Sequence, residues 1–355
     1  MKRPIVRLSS LQLTNIKNVK NGTIYMPNTV NKILSADKAE ILGIYGQNGS
    51  GKTAIVDALY FLQKVMVGAD LDQSLEDYMT IDSDTAEIFA DFNIFMDGIV
   101  FEIGYTLSLS REEKEIVINR EILRSAKNEN GIRTNKTVFM DYQRDQTDVI
   151  FKPQKRLDEI LEANKEIKTD LIVARKMAEK SNCSYIFGES SREIFCREYK
   201  NGFQQFSVII SSLFEFALKD LFVIRNTHSG VISANFVLPM AFRIENDNIG
   251  AKGDFAVPLT EPILVDEERK NLLETIVEQI NIVLYTIIPG LQVTIKNYGK
   301  QSLDNGEEGW KLELMSKREG MKEIPIRMES EGIIKIISIL NALIQAFVEW
   351  SVCFC

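Results

Sequence analysis

The sequence predicts an α/β fold in which a glycine-rich loop joins a strand to a helix and an antiparallel β layer follows. The first observation behind this prediction is the stretch from Glu40 to Tyr60, where a glycine-rich loop ends in Lys-Thr. The second is a pair of alternating apolar and polar runs between residues 85 and 110, which is typical of strands with one buried face. The third is a change to helical spacing of the apolar residues after Pro153.

Composition sets the broad class of the protein. The chain has 355 residues, of which 45% are hydrophobic and 26% charged, so it can form one large domain or two smaller ones. Its formal net charge of −8 gives no support to a nucleic-acid partner, although a local basic groove is compatible with it. No apolar run approaches the roughly 18–20 residues of a membrane span. The N-terminus lacks the apolar core of a secretion signal, so we expect a cytoplasmic protein without a membrane partner.

Histidine and cysteine usage argues against a zinc site. The four cysteines, Cys183, Cys196, Cys353 and Cys355, form no C-x-x-C pair, and His228 is the only histidine. These spacings do not suit zinc ligands, and reduced thiols of a cytosolic protein are the simpler interpretation.

The glycine-rich loop satisfies the pattern G-x-x-x-x-G-K-[ST] in full. The apolar run Ile41–Tyr45 predicts a buried strand before it, and residues 54–62 predict a helix after it. Glycines let backbone N–H groups point inward, and the helix N-terminus adds partial positive charge. We therefore predict a nucleoside-triphosphate site, with Lys52 at the β- and γ-phosphates and the Thr53 hydroxyl on Mg²⁺. The loop residues are Gly46, Gln47, Asn48, Gly49, Ser50, Gly51, Lys52 and Thr53. The alternative is a glycine turn that happens to end in Lys-Thr.

The remaining elements follow from periodicity. Residues 86–95 and 99–109 alternate around Asp97-Gly98, a hairpin turn signal. Further strands are predicted at 5–13, 23–26, 115–123, 137–151, 221–224, 291–295 and 310–314, and helices at 155–180, 203–220, 266–288 and 333–350. We interpret the apolar stripes of the helices as core packing. The pattern suggests an N-terminal lobe over 1–150, a helical insertion over 151–235 and a C-terminal lobe over 236–355.

A second motif precedes the last long helix. The stretch from Arg327 to Lys335 reads RMESEGIIK, with a serine and a glycine at the predicted helix start. Taken alone, Ser330 is best interpreted as an N-cap that satisfies free backbone N–H groups.

Together the two motifs resemble ATPases of the ABC/SMC class. The opening Leu-x-Asn-x-Lys-Asn, with Asn15 and Lys17, looks like the start of these proteins, and the loop has their Gly-x-Asn-Gly-x-Gly-Lys-Thr form. Ser330, Gly332 and Lys335 resemble a degenerate ABC signature. Within this class, the chain resembles stand-alone bacterial ATPases of the AbiL abortive-infection kind, which are related to OLD-type ATPases. The resemblance spans most of the chain but is weak over residues 110–250.

The resemblance implies an ABC-type P-loop ATPase head with a mixed sheet, an antiparallel β layer and a helical insertion. It also implies ATP and Mg²⁺ as cofactors, with Asn15 and Lys17 joining the phosphate loop at the nucleotide. Two heads would form at least a dimer around ATP, the loop of one copy facing Ser330, Gly332 and Lys335 of the other. The expected role is regulation or sensing for an anti-phage defence system, with a nuclease or toxin as effector partner.

The resemblance also exposes a gap. In this class an Asp-Glu pair follows the strand after the signature helix, but here the sequence ends at Val352–Cys355 without acids. We therefore expect an ATPase that ends before its catalytic acids. The run from Ile263 to Glu267 carries an Asp-Glu pair, but Asp266 better suits the start of the following helix. Gln143 is a candidate for the Gln-loop, and a plain surface glutamine is the simpler interpretation.

Two other functions stay open at this stage. One is a DNA-repair or chromosome-maintenance ATPase, which the acidic balance and the absence of a long coiled coil disfavour. The other is an ATP-gated assembly protein that does not hydrolyse ATP, which the missing acids would allow.

Overall fold

The computed structural model describes most of the chain, and the statements below concern those residues. The described ranges are 3–36, 38, 40–47, 49–71, 78–112, 115–146, 148–163, 167–196, 204–223, 237–246, 249–258, 261–302, 308–348 and 352–354. The chain divides into two compact units, Met1–Leu218 and Lys219–Cys355. Each unit is described by itself, and the three-part division expected from the sequence stays a prediction.

The first unit is built on a seven-stranded antiparallel sheet in the order β2-β1-β3-β4-β5-β6, with β7 also paired to β5. Its strands are β1 (Ile5–Ile16), β2 (Val19–Tyr25), β3 (Thr85–Met96), β4 (Ile99–Glu112), β5 (Glu115–Glu129), β6 (Ile132–Arg133) and β7 (Thr137–Gln143). The predicted hairpin between β3 and β4 is confirmed. Asp97 and Gly98 both have positive φ, at 46° and 81°, as a two-residue hairpin turn requires.

In the described part of the first unit, helices accompany this sheet. They are α1 (Pro27–Val30), α2 (Lys52–Met66), α3 (Gln154–Ala163), α4 (Ile167–Ser181), α5 (Glu189–Phe195) and α6 (Gln204–Glu215), and a π-helical turn at Phe216–Asp220 follows α6. Helix α2 buries an apolar face that includes Phe61, Leu62 and Val65. The charged segment after residue 153 packs inward through Ile167, Leu171 and other buried residues of α4.

A carboxyl group is buried in the centre of this unit. Glu121 of β5 is 0% exposed and accepts hydrogen bonds from the hydroxyls of Tyr105 and Ser184, each at 2.6 Å, and from the backbone N–H of Tyr185 at 2.7 Å. Burial nevertheless raises the pKa of Glu121, because loss of hydration disfavours the charged form by more than these hydrogen bonds favour it. The group ties β4 and β5 to the turn that precedes α5.

We expect Glu121 to give the protein a measurable pH dependence. A carboxyl whose pKa is raised on folding contributes stability below its unfolded pKa, ordinarily 4.5, and loses it as pH rises through the folded pKa. The free energy of unfolding in urea should therefore fall as pH rises above that value, and Glu121→Gln should remove that part of the slope. Glu115→Gln, at the exposed start of β5, is the control. Equal slopes in Glu121→Gln and the wild type would contradict the expectation.

A buried arginine holds the segment that follows β7. Arg175 of α4 is 4% exposed and donates to the backbone carbonyls of Gln143 and Arg144, each at 2.8 Å, and to that of Val149. It also bonds Glu179 at 2.9 Å, and its guanidinium lies 5.0 Å from the ring centre of Tyr142. The strand predicted over 137–151 therefore ends at Gln143, because the carbonyls beyond it turn towards a side chain instead of a neighbouring strand.

The described residues of the second unit form small sheets. Its strands are β8 (Leu221–Val223), β9 (Val237–Asn246), β10 (Ile249–Pro258), β11 (Ile263–Val265), β12 (Leu291–Ser302), β13 (Glu308–Arg318), β14 (Ile324–Pro325) and β15 (Val352–Phe354). Strands β11, β13 and β12 form an antiparallel sheet in that order, with β14 also on β13, while β9 pairs with β10. Strand β15 pairs with β8 in parallel.

Among the described residues of this unit, the helices are α7 (Glu267–Ile287) and α8 (Glu331–Val348), and a 3₁₀ turn lies at Ile326–Met328. Buried residues of both helices and of β12 and β13 share one hydrophobic core. Helix α7 is also fixed to β12 by Asn281, whose side-chain amide donates to the Val293 carbonyl and accepts from the Val293 N–H. This pairing uses backbone groups of β12 that no strand satisfies at that position.

The predicted α/β class is confirmed to the extent of an antiparallel β layer combined with helices. The predicted buried strand at Ile41–Tyr45 is wrong. The segment has no strand pairing among the described residues, and Ile41 and Tyr45 are 82% and 95% exposed. An apolar run forms a strand only when a neighbour pairs with its backbone, and the sequence does not specify that neighbour. No helix in the described ranges is long and apolar enough to cross a membrane.

Candidate functional site

The helix predicted after the glycine-rich loop is present as α2, but it begins at Lys52, two residues before the predicted start, so Lys52 and Thr53 of the loop motif lie in its first turn. Gly49 and Gly51 have φ of 83° and 91°, a left-handed conformation that glycine adopts without strain. Gly51 is the residue before the helix, so the chain reverses immediately before the helix N-terminus. The first N–H groups of a helix have no partner within it, and this arrangement directs them towards the loop. Asn48, a predicted site residue, lies outside the described residues.

Lys52 turns back over the loop. Its ammonium donates to the backbone carbonyls of Gly46 and Gln47, each at 2.7 Å, and lies 3.4 Å from the Ser50 hydroxyl oxygen. A positive charge, a helix N-terminus and flexible glycines thus converge at one place, which is the chemistry that binds phosphate. Thr53, in the first turn of α2, is exposed, so its hydroxyl is accessible to a metal–phosphate complex.

Two glycines of the loop lie close to neighbouring side chains. A Cβ at Gly46 would lie 2.7 Å from the Ser50 hydroxyl oxygen, and one at Gly51 would lie 2.5 Å from Cγ2 of Val19. Because Val19 begins β2, the N-terminal hairpin packs directly against the loop. The motif therefore needs glycine at position 51 for both backbone conformation and packing.

A double-mutant cycle separates these two causes. We expect Gly51→Ala to reduce the free energy of unfolding by about 1–3 kcal/mol through the left-handed φ, with the contact with Val19 adding to it. Val19→Ala should relieve the contact, so the double variant should recover part of the loss and keep the backbone term. The measurement is urea unfolding of the four proteins. Strict additivity would show that Val19 does not constrain position 51.

The other predicted nucleotide residues, Asn15 and Lys17, lie at the end of β1 and in the turn that follows it. Asn15 donates from its amide to the Ser83 hydroxyl at 2.9 Å and to the Thr85 carbonyl at 3.0 Å. Lys17 forms an ion pair with Asp57 of α2, and its ammonium lies 5.5 Å from the ring centre of Tyr78. Both side chains thus support the turn in this structure, and their role at the nucleotide stays a prediction.

Two residues at this site were not among the predicted ligands. The Asn18 amide donates to the Gly49 carbonyl and so connects the hairpin to the loop. The Asp57 side chain is 5% exposed and holds Lys17. A signal for Asp57 exists in the sequence, since an acid on the apolar face of a helix needs a partner when buried. The partner itself is 40 residues away and is visible only in the fold.

The signature-like segment lies in the second unit. Ser330 directly precedes α8, its carbonyl accepts from the N–H groups of Ile333 and Ile334 at 3.0 and 3.1 Å, and its hydroxyl oxygen lies 3.4 Å from the Ile333 nitrogen. The N-cap interpretation is therefore confirmed. Ser330, Gly332 and Lys335 are all exposed, so the capped helix start is also accessible, and the predicted contact with ATP stays a prediction.

The interpretation of Asp266 as a helix-start residue is likewise confirmed. It is the N-cap of α7, and its carboxylate accepts from the Arg269 N–H at 2.7 Å. Gln143, the candidate for the Gln-loop, accepts a hydrogen bond at its side-chain oxygen from Gln146 at 2.8 Å. In the described ranges, no group of three or more His, Cys, Asp or Glu side chains is placed to hold a metal ion.

Comparison with known proteins supports an ATPase assignment for part of the chain. Residues 41–171 match the model of a family described as an AAA domain, putative AbiEii toxin, type IV toxin–antitoxin system. This stretch is a little over a third of the chain, and it includes the phosphate loop, α2 and β3 to β7. It is thus similar to an AAA-type ATPase domain. No curated protein matches the chain.

Solved structures give a loose overall likeness. The chain is 15% identical to the Smc head domain of Pyrococcus furiosus, with a TM-score of 0.36, covering 98% of this chain and 80% of that one. It is 13% identical to an Smc head domain of Pyrococcus yayanosii, with a TM-score of 0.35, covering 98% of this chain and 85% of that one. It is 11% identical to the recombination mediator protein RecF in its ATP complex, with a TM-score of 0.33, covering 97% of this chain and 82% of that one. Likenesses of this size assign neither a fold nor a function by themselves.

Proposed function

We propose that this chain is an ATP-binding module of the ABC-ATPase type whose nucleotide state controls self-association. The convergence of Lys52, the left-handed glycines and the start of α2 carries the proposal. The phosphates of ATP would replace the carbonyls of Gly46 and Gln47 as partners of the Lys52 ammonium. This exchange favours binding, because an ammonium bonds a charged phosphate more strongly than a neutral carbonyl.

Mg²⁺ would bind with ATP, and the Thr53 hydroxyl is the ligand we propose on this chain. The metal would neutralise charge between the β- and γ-phosphates, as it does in P-loop proteins generally. The protein's own contribution is to hold the phosphates by backbone N–H groups and Lys52. Whether the chain also hydrolyses ATP is a separate measurement, and binding without turnover would fit a gated assembly protein.

Self-association is the second part of the proposal. Ser330 combines an exposed hydroxyl with a helix N-terminus, which are suitable ligands for a γ-phosphate carried by a second copy. ATP would then join two copies, each contributing its loop to one nucleotide and its Ser330 segment to the other. This requires an association that depends on nucleotide, since ATP stabilises only the state it binds better.

The biological setting we propose is a cytoplasmic anti-phage defence system. The similarity of residues 41–171 to a family described as a putative AbiEii toxin of a type IV toxin–antitoxin system supports a setting of this kind. In such a system the assembled ATPase would regulate an effector protein such as a nuclease or toxin. The effector is to be sought by its ATP-dependent binding to this chain.

Sedimentation velocity tests this function. We expect the wild-type chain to shift from monomer to dimer when ATP and Mg²⁺ are added, because each ATP contacts both copies. Ser330→Arg should bind ATP normally and stay monomeric, since the longer side chain blocks the helix start. Lys322→Ala, an exposed change that precedes the 3₁₀ turn, is the control and should dimerise normally. ATP-dependent dimerisation that Ser330→Arg leaves unchanged would refute the proposal.

A further inference from the structure

The residue before Ser330 is an unusual neighbour for an exposed helix start. Met328 is 70% exposed and Ser330 is exposed, but the side chain of Glu329 between them is only 7% exposed. A buried carboxylate is costly unless hydrogen bonds satisfy it. An N-cap needs only its own serine, so capping does not explain why an acid is buried at this position.

The carboxylate of Glu329 accepts hydrogen bonds from side chains of strand β13. The buried Ser316 hydroxyl donates to one carboxylate oxygen at 2.6 Å, and the Arg318 guanidinium donates to the other at 2.9 Å. The backbone N–H of Ser330 also bonds this carboxylate. Burial alone would raise the pKa of Glu329, but these hydrogen bonds and the charge of Arg318 lower it below the ordinary value. The side chain is therefore an ionised anchor directly beside the serine.

A second ion pair, two residues before Glu329, holds the connection between β13 and α8. Arg327 donates to Glu313 of β13 at 2.6 Å, and the Tyr298 hydroxyl donates to the other oxygen of Glu313, also at 2.6 Å. Ile326, at the start of the 3₁₀ turn, is 2% exposed and belongs to the core. The connection between β13 and α8 is thus fixed to β13 at two charged points, while the serine that follows stays open.

We propose that Glu329 is a positioning residue that sets the orientation of the Ser330 helix start for ATP carried by a second copy. The inference rests on the proposed function, because it assigns Glu329 a role only if Ser330 meets a nucleotide. Arg318 and Ser316 are the partners through which it acts. Since Glu329 does not itself reach solvent, it acts on the nucleotide only through the serine.

The test compares ATP-dependent dimerisation with ATP binding by the monomer. Glu329→Gln keeps the shape of the side chain but removes the charge bonded by Arg318, so we expect the dimerisation constant with ATP to fall about tenfold. The Kd for ATP, measured at protein concentrations too low for dimerisation, should not change. Glu329→Asp keeps the charge and should recover part of the loss. If Glu329 has a purely structural role, Glu329→Gln should change the dimerisation constant and the Kd for ATP together.

Controls keep the inference distinct from the proposed function. Glu323→Gln removes an exposed carboxylate from the same connection and should dimerise like the wild type. If Glu329→Gln does not fold, Arg318→Gln removes the same pair from a side chain that is 40% exposed and should show the same separation. If Ser330→Arg prevents dimerisation while the Glu329 and Arg318 variants dimerise normally, the inference is wrong. If Ser330→Arg does not change ATP-dependent dimerisation, the proposed function itself is wrong.

Discussion

Replacing Lys52 by alanine is expected to remove ATP binding. The ammonium already spans the loop to the carbonyls of Gly46 and Gln47, where it can meet the phosphates of ATP. Losing two or more charge-assisted hydrogen bonds should weaken binding by about a hundredfold or more. Isothermal titration calorimetry with ATP and Mg²⁺ measures the effect.

The matched control for this variant lies on the same helix. Lys64 is in the last turn of α2, where its ammonium lies 5.6 Å from the ring centre of Tyr60. Lys64→Ala makes the same chemical change away from the loop and should bind ATP like the wild type. Equal ATP affinities of Lys52→Ala and Lys64→Ala would show that the loop is not the nucleotide site.

The largest expected effect on stability is that of Arg175→Ala. Truncation would leave the carbonyls of Gln143, Arg144 and Val149 without the donor that now satisfies them. Removing one partner of a buried charged network costs about 3–5 kcal/mol, a large part of the stability of an ordinary domain. Urea unfolding should show this loss, and hydrogen exchange should show faster amide exchange at residues 143–150.

Lys176→Ala is the control for that prediction. Lys176 is the next residue of α4 and is exposed, so its truncation should change the free energy of unfolding by less than about 0.5 kcal/mol. Arg175→Lys should recover little, because an ammonium cannot reproduce the planar set of donors. A small effect of Arg175→Ala, comparable with that of Lys176→Ala, would mean that water replaces the guanidinium without cost.

Local patterns predicted much of the fold. The helix after the phosphate loop, the Asp97-Gly98 hairpin and the helix start at Asp266 all follow from signals within a few residues of each other. The strand prediction for Ile41–Tyr45 was wrong, because a strand needs a neighbouring strand to pair with, and an apolar run does not specify that neighbour. Strand β7 ends early for a similar reason, since Arg175 lies on a helix 32 residues beyond Gln143.

In the candidate site too, features set by residues adjacent in sequence were predicted, and contacts between distant residues were not. The glycines, Lys52 and the cap at Ser330 were predicted from motifs whose members are adjacent in sequence. The supports of these residues were not predicted, because each joins distant parts of the chain. Examples are Asn18 on the Gly49 carbonyl, Asp57 on Lys17, and the bonds of Ser316 and Arg318 to Glu329.

The most direct test of the central claim is a mixing experiment. Lys52→Ala lacks a working loop and Ser330→Arg lacks a working helix start, so neither should dimerise with ATP alone. In a mixture, the loop of the Ser330→Arg chain can meet the intact Ser330 of the Lys52→Ala chain, which rebuilds one of the two nucleotide sites. We therefore predict an ATP-dependent heterodimer by sedimentation velocity. A mixture that stays monomeric, although the wild type dimerises under the same conditions, would contradict a nucleotide shared between two copies.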